Sequence, residues 1–203
     1  MVFGRIQRER IQFNEETLWD GWLRDTTNPE ALGILPEVRR LLFEGKNQEA
    51  TKLAERLMGN PERVKSYQTF GDLELEFPGA SADADYHRSL DLDTAVAQTR
   101  YRQGTTEYLR EVFASAPHQV IAVRLTASQP GQIQVNARLT RPERATNGVS
   151  AADRLALRGE LNSKGIRFEA QLRVLHRGGR LESDGQTLRL HGADEATLLL
   201  AAA

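Results

Sequence analysis

Residues 132–139, Gln132-Ile133-Gln134-Val135-Asn136-Ala137-Arg138-Leu139, alternate polar and apolar side chains without a break. A period of two is the signature of a strand with one buried face and one wet face. Upstream of it, Ile121, Val123 and Leu125 share a face, and Pro130-Gly131 turns the chain between the two runs. Downstream, Ile166, Phe168, Ala170, Leu172 and Val174 point inward against Arg167, Glu169, Gln171 and Arg173. Gly178-Gly179 and Asp184-Gly185 are two-residue hairpin signals, which predict two further strands after this one. Toward the N-terminus, Leu73, Leu75 and Phe77 alternate with Asp72, Glu74 and Glu76 until Pro78-Gly79 stops the run. Residues 2–13 also read as strand, and 141–153 as a long loop. Strands with one apolar face joined by tight turns give antiparallel sheets packed face to face. The expected fold is mainly β, a large antiparallel β-sandwich.

One segment breaks the pattern. Asn28-Pro29 places a capping side chain before a proline at the first helical position. Val38, Leu41 and Leu42 then form an i, i+3, i+4 stripe that ends at Gly45. Asn47 is placed to cap a further helix carrying Ala50, Leu53, Ala54 and Leu57 on one face, closed by Gly59-Asn60-Pro61. This predicts a small helical insertion near residues 29–58, its stripes packed against a sheet.

Composition excludes several classes of function. The chain has 203 residues, 27 basic and 28 acidic, a formal net charge of −1. It has no cysteine, which removes disulfides, thiolate metal sites and a Cys nucleophile. No apolar run approaches the ~20 residues of a membrane-spanning helix. Residues 138–180 carry ten basic and four acidic side chains, but Phe168 is the only aromatic among them. A nucleic-acid groove wants interleaved stacking residues, so an Arg-rich solvated sheet face is the expectation, with no nucleic acid and no membrane as partner. His87, His118, His176 and His191 lack metal-ligand spacing, and no glycine-rich loop opens a helix, so neither a metal nor a cofactor is expected.

The remaining candidates cluster near the N-terminus. Glu15 and Glu16 evoke the paired carboxylates of glycosidases. Adjacent residues of an extended chain point to opposite faces, so the pair cannot converge on one substrate there. Salt bridging or loop anchoring is the expected role. Trp19 and Trp22 stand three apart in a polar segment, as a sugar-stacking platform or, preferably, an anchor in a domain interface. The apolar run Thr197–Ala203 ends without a turn residue or charge, which suggests a piece of something longer and predicts an unpaired edge prone to self-association.

Several of these stretches resemble glycoside hydrolase family 95, the α-L-fucosidase family. Met1-Val2-Phe3-Gly4 and Glu9-Arg10-Ile11-Gln12-Phe13-Asn14-Glu15-Glu16-Thr17-Leu18-Trp19 resemble its opening. Pro36–Gly45, Ser66-Tyr67-Gln68-Thr69-Phe70-Gly71-Asp72-Leu73, Leu90-Asp91-Leu92-Asp93-Thr94-Ala95, Glu111–Pro117 and Leu188–Leu200 are similar to later segments, in order. Asp20-Gly21-Trp22-Leu23 replaces the family's Ser-Gly-Gly-Pro-like turn, and Thr69 stands where Pro usually follows Tyr-Gln.

The resemblance implies that residues 1–203 are the N-terminal β-sandwich domain of an inverting α-L-fucosidase, truncated at both ends. It also implies a partner, an (α/α)6 catalytic barrel of the same polypeptide that acts on fucosylated glycans. Twelve barrel helices need well over a hundred helical residues, and about 30 here have helical periodicity. No position matches the family's catalytic motifs, so the chain alone is expected to be inactive. Asn14, Trp19, Trp22 and Tyr67 fall in or beside the family-like segments and are the expected pocket rim or domain interface. The family's periplasmic or secreted location is implied as well, although Met1–Arg5 lacks signal-peptide character. A free-standing carbohydrate-binding or interaction module is the other reading. The ordered match along the chain favours the first.

Overall fold

Two long strands near the C-terminus, β10 (Arg167–Ser183) and β11 (Leu188–Ala202), form a hairpin that is the spine of the molecule. The description that follows rests on a computed structural model and covers residues 1–20, 25–59, 66–81, 84–161 and 165–203. Nine shorter strands complete the sheet: β1 (Arg8–Phe13), β2 (Gly71–Glu76), β3 (Ala84–Asp91), β4 (Val96–Gln103), β5 (Thr106–Ser115), β6 (Val120–Ala127), β7 (Ile133–Thr140), β8 (Ala145–Ala151) and β9 (Arg154–Glu160). Every pairing among them is antiparallel.

The hydrogen-bonded order explains the shape. The first part of β11, Leu188–Ala193, pairs with β7, while Glu195–Leu200 pairs with β6 on the same edge. One layer therefore runs β1-β2-β7-β11 and the other β11-β6-β5-β4-β3, with β10, β9 and β8 on the far side of β11. The sheet curls at the spine into a half-barrel, and its halves face each other as a sandwich. At the curl the β10–β11 register slips between Arg177 and Gly178. Gly178 and Gly179 both have φ of +69°, and a Cβ on Gly179 would lie 2.4 Å from the His191 carbonyl oxygen. Only glycine fits there. The Gly-Gly pair is thus a mid-strand bulge and not the hairpin its sequence suggests. The hairpin turn is Asp184–Thr187, where Asp184 Oδ1 accepts from the N–H groups of Gln186 and Thr187.

The alternating runs keep their expected faces. Ile133, Val135, Ala137 and Leu139 are buried, as are Leu73, Leu75 and Phe77, and Phe168, Ala170, Leu172 and Val174. Ile166 lies just before β10 and is exposed. Three other expectations are corrected. Segment 141–153 contains β8, held by pairing with β9 rather than left as a loop. Strand β1 starts only at Arg8, because Val2 folds back to bridge Ile11. Thr197–Leu200 is not an edge: it is paired on both sides, by β10 and β6, while Ala201 and Ala202 pair with β10, and Glu169 and Ala203 exchange backbone hydrogen bonds of 2.8 and 3.0 Å. The expected unpaired edge is therefore absent along Thr197–Leu200.

The helical insertion is present as α1 (Ala31–Phe43), α2 (Asn47–Ala54) and a 3-10 turn (Glu55–Leu57). Asn28 is not the expected cap of α1, whose N-cap position is Glu30; three residues ahead of the helix, it accepts from the Glu30 N–H at 3.0 Å and donates to the carbonyls of Arg56 and Met58. Its apolar stripe does not meet the sheet as expected. Val38, Leu41 and Ala50 are buried where the two helices pack on each other, apart from the continuous core of the sandwich. Two short helices facing one another satisfy one stripe with the other. Leu32, Leu42, Phe43 and Met58 remain exposed.

Inside the sandwich Glu9 and Arg110, 101 residues apart, form a buried ion pair at 2.6 Å. Glu9 also accepts from the N–H groups of Phe3 and Gly4, and Arg110 donates to the carbonyls of Arg5 and Ile6. The pair clamps the N-terminal segment onto β1 and β5. Burial pulls the Arg110 pKa below its ordinary value against the opposing pull of Glu9, and the guanidinium lies 4.0 Å from the Phe77 ring centroid. Beside it Tyr101 and Tyr108 stack with ring centroids 4.9 Å apart.

Burial pushes the Tyr101 phenol up to about 12. An unfolded chain ionises tyrosine near 10, so the folded state holds this proton longer and stability falls as pH rises from about 10 to 12. Spectrophotometric titration is expected to show a phenol step lagging to about pH 12. Loss of the lag in a Tyr101→Phe variant assigns it, and its persistence would refute the assignment.

Candidate functional site

Beyond Phe13 the β1–β2 ladder does not end cleanly. Phe70 donates its N–H to the Phe13 carbonyl at 3.2 Å, Gln68 to Leu18 at 2.9 Å and Asp20 to Ser66 at 2.9 Å. Residues 13–20 and 66–70 therefore run side by side and bring Trp19 opposite Tyr67. Leu18 and Phe70 point down into the core and anchor the two segments from beneath. Phe70 stacks on Phe13 at 5.3 Å and meets Phe168 edge-on at 5.2 Å.

The rings above this anchor are open to solvent. Trp19 is 44% exposed and Tyr67 41%, and they pack edge to face at 5.3 Å. Their polar ends are already used. Trp19 Nε1 donates to the Glu16 carbonyl, and the Tyr67 hydroxyl donates to the Glu15 carbonyl, each at 3.0 Å. Their free surfaces are chiefly aromatic carbon. That suits them to cover a partner's apolar atoms, whether a sugar's C–H face or a protein surface.

The neighbouring polar groups serve the loop. The Glu15 carboxylate accepts from the Thr17 N–H and hydroxyl at 2.9 and 2.6 Å, which is the loop-anchoring role expected of it. Asp20 and Arg144 approach to 3.4 Å, and Arg144 also donates to the Leu161 carbonyl at 2.7 Å. Asn14 is exposed beside this group, with no side-chain bond to a described residue. Of the four candidates, the structure brings Trp19 and Tyr67 into contact and places Asn14 on the same loop. Trp22 lies outside the described residues.

The sequence holds no local signal for the Trp19–Tyr67 contact, because the partners are 48 positions apart and meet only through the ladder. Six arginines of the Arg-rich stretch are taken up in ion pairs among the described residues. Arg158 meets Glu169 through two bonds of 2.8 and 3.0 Å, and Arg173 meets Asp153 at 2.8 Å. Arg141 donates to the Phe70 carbonyl and lies over the Phe168 ring, so it braces the anchor from its other side. Among the described residues no group of three or more His, Asp or Glu side chains is placed to hold a metal ion.

Comparison with known proteins adds a second line of observation. A family model described as "Glycosyl hydrolase family 65, N-terminal domain" matches residues 1–203. The chain is 37% identical to alpha-L-fucosidase 2 of Arabidopsis thaliana over 99% of its own length and 27% of that protein. It is 29% identical to the probable alpha-fucosidase A of Aspergillus oryzae over 63% of its length and 18% of that protein. For the Aspergillus niger protein of the same name the identity is 31%, over 63% and 16%. The chain spans about a quarter or less of the length of these relatives.

Proposed function

Since this chain belongs to the family of glycosyl hydrolase family 65 N-terminal domains, we propose that it is the non-catalytic scaffold of a larger hydrolase acting on terminal α-L-fucosyl linkages of glycans. The similarity to alpha-L-fucosidase 2 along 99% of the chain carries this reading. Its chemistry agrees. In most families, hydrolysis of a glycosidic bond with inversion uses two carboxyl groups roughly 6.5–9.5 Å apart on either side of the sugar. Glu15 is committed to Thr17, and Glu16 is exposed on a turn whose carbonyl is taken by Trp19.

The scaffold's working surface is the Trp19–Tyr67 face with Asn14 beside it. Exposed rings fixed at their polar ends are pre-ordered to pack, so little side-chain entropy is lost on contact. They would seat against the catalytic part of the polypeptide at the rim of its pocket. A free-standing glycan-binding module would use the same rings as a platform.

The isolated chain is expected to give no turnover of an aryl α-L-fucoside. Turnover abolished by Glu15→Gln or Glu16→Gln would overturn the scaffold reading. A chimera carrying this chain in place of the matching segment of the Arabidopsis relative is expected to hydrolyse that substrate. Within it, Trp19→Ala or Tyr67→Ala should lower kcat/KM by about tenfold, the cost of truncating a central interface aromatic, while the isolated domain keeps its Tm. Unchanged kcat/KM in both variants would remove these rings from the interface.

A further inference from the structure

Helix α1 carries a second apolar face, and that face lies open to solvent. Ile34, Val38 and Leu41 recur at i, i+4 and i+7, the side on which Val38 and Leu41 are buried against α2. Leu32, Leu35, Pro36, Arg39 and Phe43 recur at i, i+3, i+4, i+7 and i+11, which sets them on a separate stripe of the same helix. On that stripe Leu32 is 81% exposed and Phe43 91%. A helix with apolar residues on two sides is normally covered on both.

The insertion gains little stability without such a cover. Its own buried side chains are Val38, Leu41 and Ala50, and α1 and α2 are 13 and 8 residues long. Helices shorter than ~12–15 residues are marginal in water unless packing holds an amphipathic face. Charge then narrows the choice of cover. Arg40 is held by Glu37 and Glu44, and Lys46 meets Glu44 at 3.0 Å. Arg39, in the middle of the stripe, is exposed and has no ion partner among the described residues. Two copies joined along this stripe would bring two such guanidiniums together, with no carboxylate on the stripe to offset them. An apolar groove that contains a carboxylate fits the helix better. Connectivity places that groove. The chain leaves the paired segments after Asp20 and rejoins them at Ser66, where a 2.9 Å backbone bond lies beside Trp19 and Tyr67. The insertion is therefore rooted at the face proposed above as the working surface of the scaffold. This domain matches 27% of alpha-L-fucosidase 2, so most of such a polypeptide lies outside it.

We propose that the exposed stripe of α1 docks into an apolar groove, with a carboxylate for Arg39, on the part of the larger hydrolase outside this domain. The proposal rests on reading the chain as the scaffold of such an enzyme. Leu32 and Phe43 fill the groove, and the pairing of Arg39 with the carboxylate fixes the register of the helix within it.

The test compares hydrogen exchange over α1 and α2 in the 203-residue chain and in the chimera with the Arabidopsis relative. Exchange in α1 is expected to be at least tenfold slower in the chimera, with β10 and β11 alike in both proteins. Phe43→Ser and Arg39→Glu should each remove that protection, and Arg39→Lys should keep most of it. None of the three should shift the Tm of the 203-residue chain. Where the chimera does not fold, mixing the 203-residue chain with the remaining segment of the relative gives the same readout in trans. Equal exchange of α1 with and without the rest of the enzyme, or protection that survives Phe43→Ser or Arg39→Glu, would overturn the proposal. So would sedimentation showing a dimer of the 203-residue chain that Phe43→Ser dissociates, because a second copy would then be the occupant. Turnover of the aryl α-L-fucoside separates this proposal from the reading beneath it. An active chimera with α1 unprotected overturns the docking alone. A protected α1 in an inactive chimera upholds the docking and counts against the fucosidase reading.

Discussion

Arg110→Met is expected to cost about 3–5 kcal/mol of folding free energy, the penalty for leaving one partner of a buried ion pair without the other. In a chain of this size that lowers Tm on the order of 10 °C. The Glu9 carboxylate would stay buried with the N–H groups of Phe3 and Gly4 for company but no compensating cation. The carbonyls of Arg5 and Ile6 would lose their donor as well. Damage should therefore spread outward from the N-terminal segment. Hydrogen exchange at Gly4 and Gln12, whose N–H groups bond to Glu9 and to the Met1 carbonyl, is expected to accelerate more than exchange in β10 or β11. Combining Arg110→Met with Glu9→Leu removes the stranded charge but leaves the Phe3 and Gly4 donors unpaired, so recovery should be partial. A single-variant loss below about 1 kcal/mol, typical of an exposed pair, would show that the clamp contributes little.

Phe70→Ala is expected to cost about 3–5 kcal/mol, the range for truncating a fully buried aromatic. Phe70 is 0% exposed and touches Phe13 and Phe168 through its ring. Denaturant unfolding measures the loss, and Phe43→Ala is the control. Phe43 is 91% exposed on α1, and its truncation should stay within about 0.5 kcal/mol. Phe70 also sets the height of the segment that carries Tyr67. Its loss is expected to loosen the edge-to-face contact with Trp19 and red-shift the tryptophan emission in the folded state. A variant that loses stability with unchanged folded-state emission would mean that the Leu18–Gln68 and Asp20–Ser66 backbone bonds hold the rings without the anchor.

These two residues mark the division between local and global information. Phe70 lies within the Ser66–Leu73 segment whose resemblance to α-L-fucosidases is visible in the chain, and the strand after it announces itself by alternation. The same holds for β7 and for the first part of β10, because a period of two is set by the pleat and reads directly from neighbouring residues. The insertion at 29–58 was legible for the matching reason at period 3.6, and a salt-bridging or loop-anchoring role for Glu15 and Glu16 followed from the opposite facing of neighbours on an extended chain.

What the sequence alone determined is the identity and facing of most elements and the family resemblance of the chain. The partners of those elements were decided only by the tertiary structure. Gly178-Gly179 has the composition of a hairpin turn, and only the curl of β10 against β11 makes it a bulge within a strand. Thr197–Leu200 has the composition of an exposed apolar edge, and only β6 and β10 on its two sides make it interior. Leu42 continues a helical stripe, but α1 and α2 turn toward each other and leave it in solvent. Trp19 with Tyr67 and Glu9 with Arg110 each join positions remote in the chain. Periodicity reports which face of a segment is buried. The face that buries it is chosen by strand pairing and packing over long separations, where no local pattern reaches.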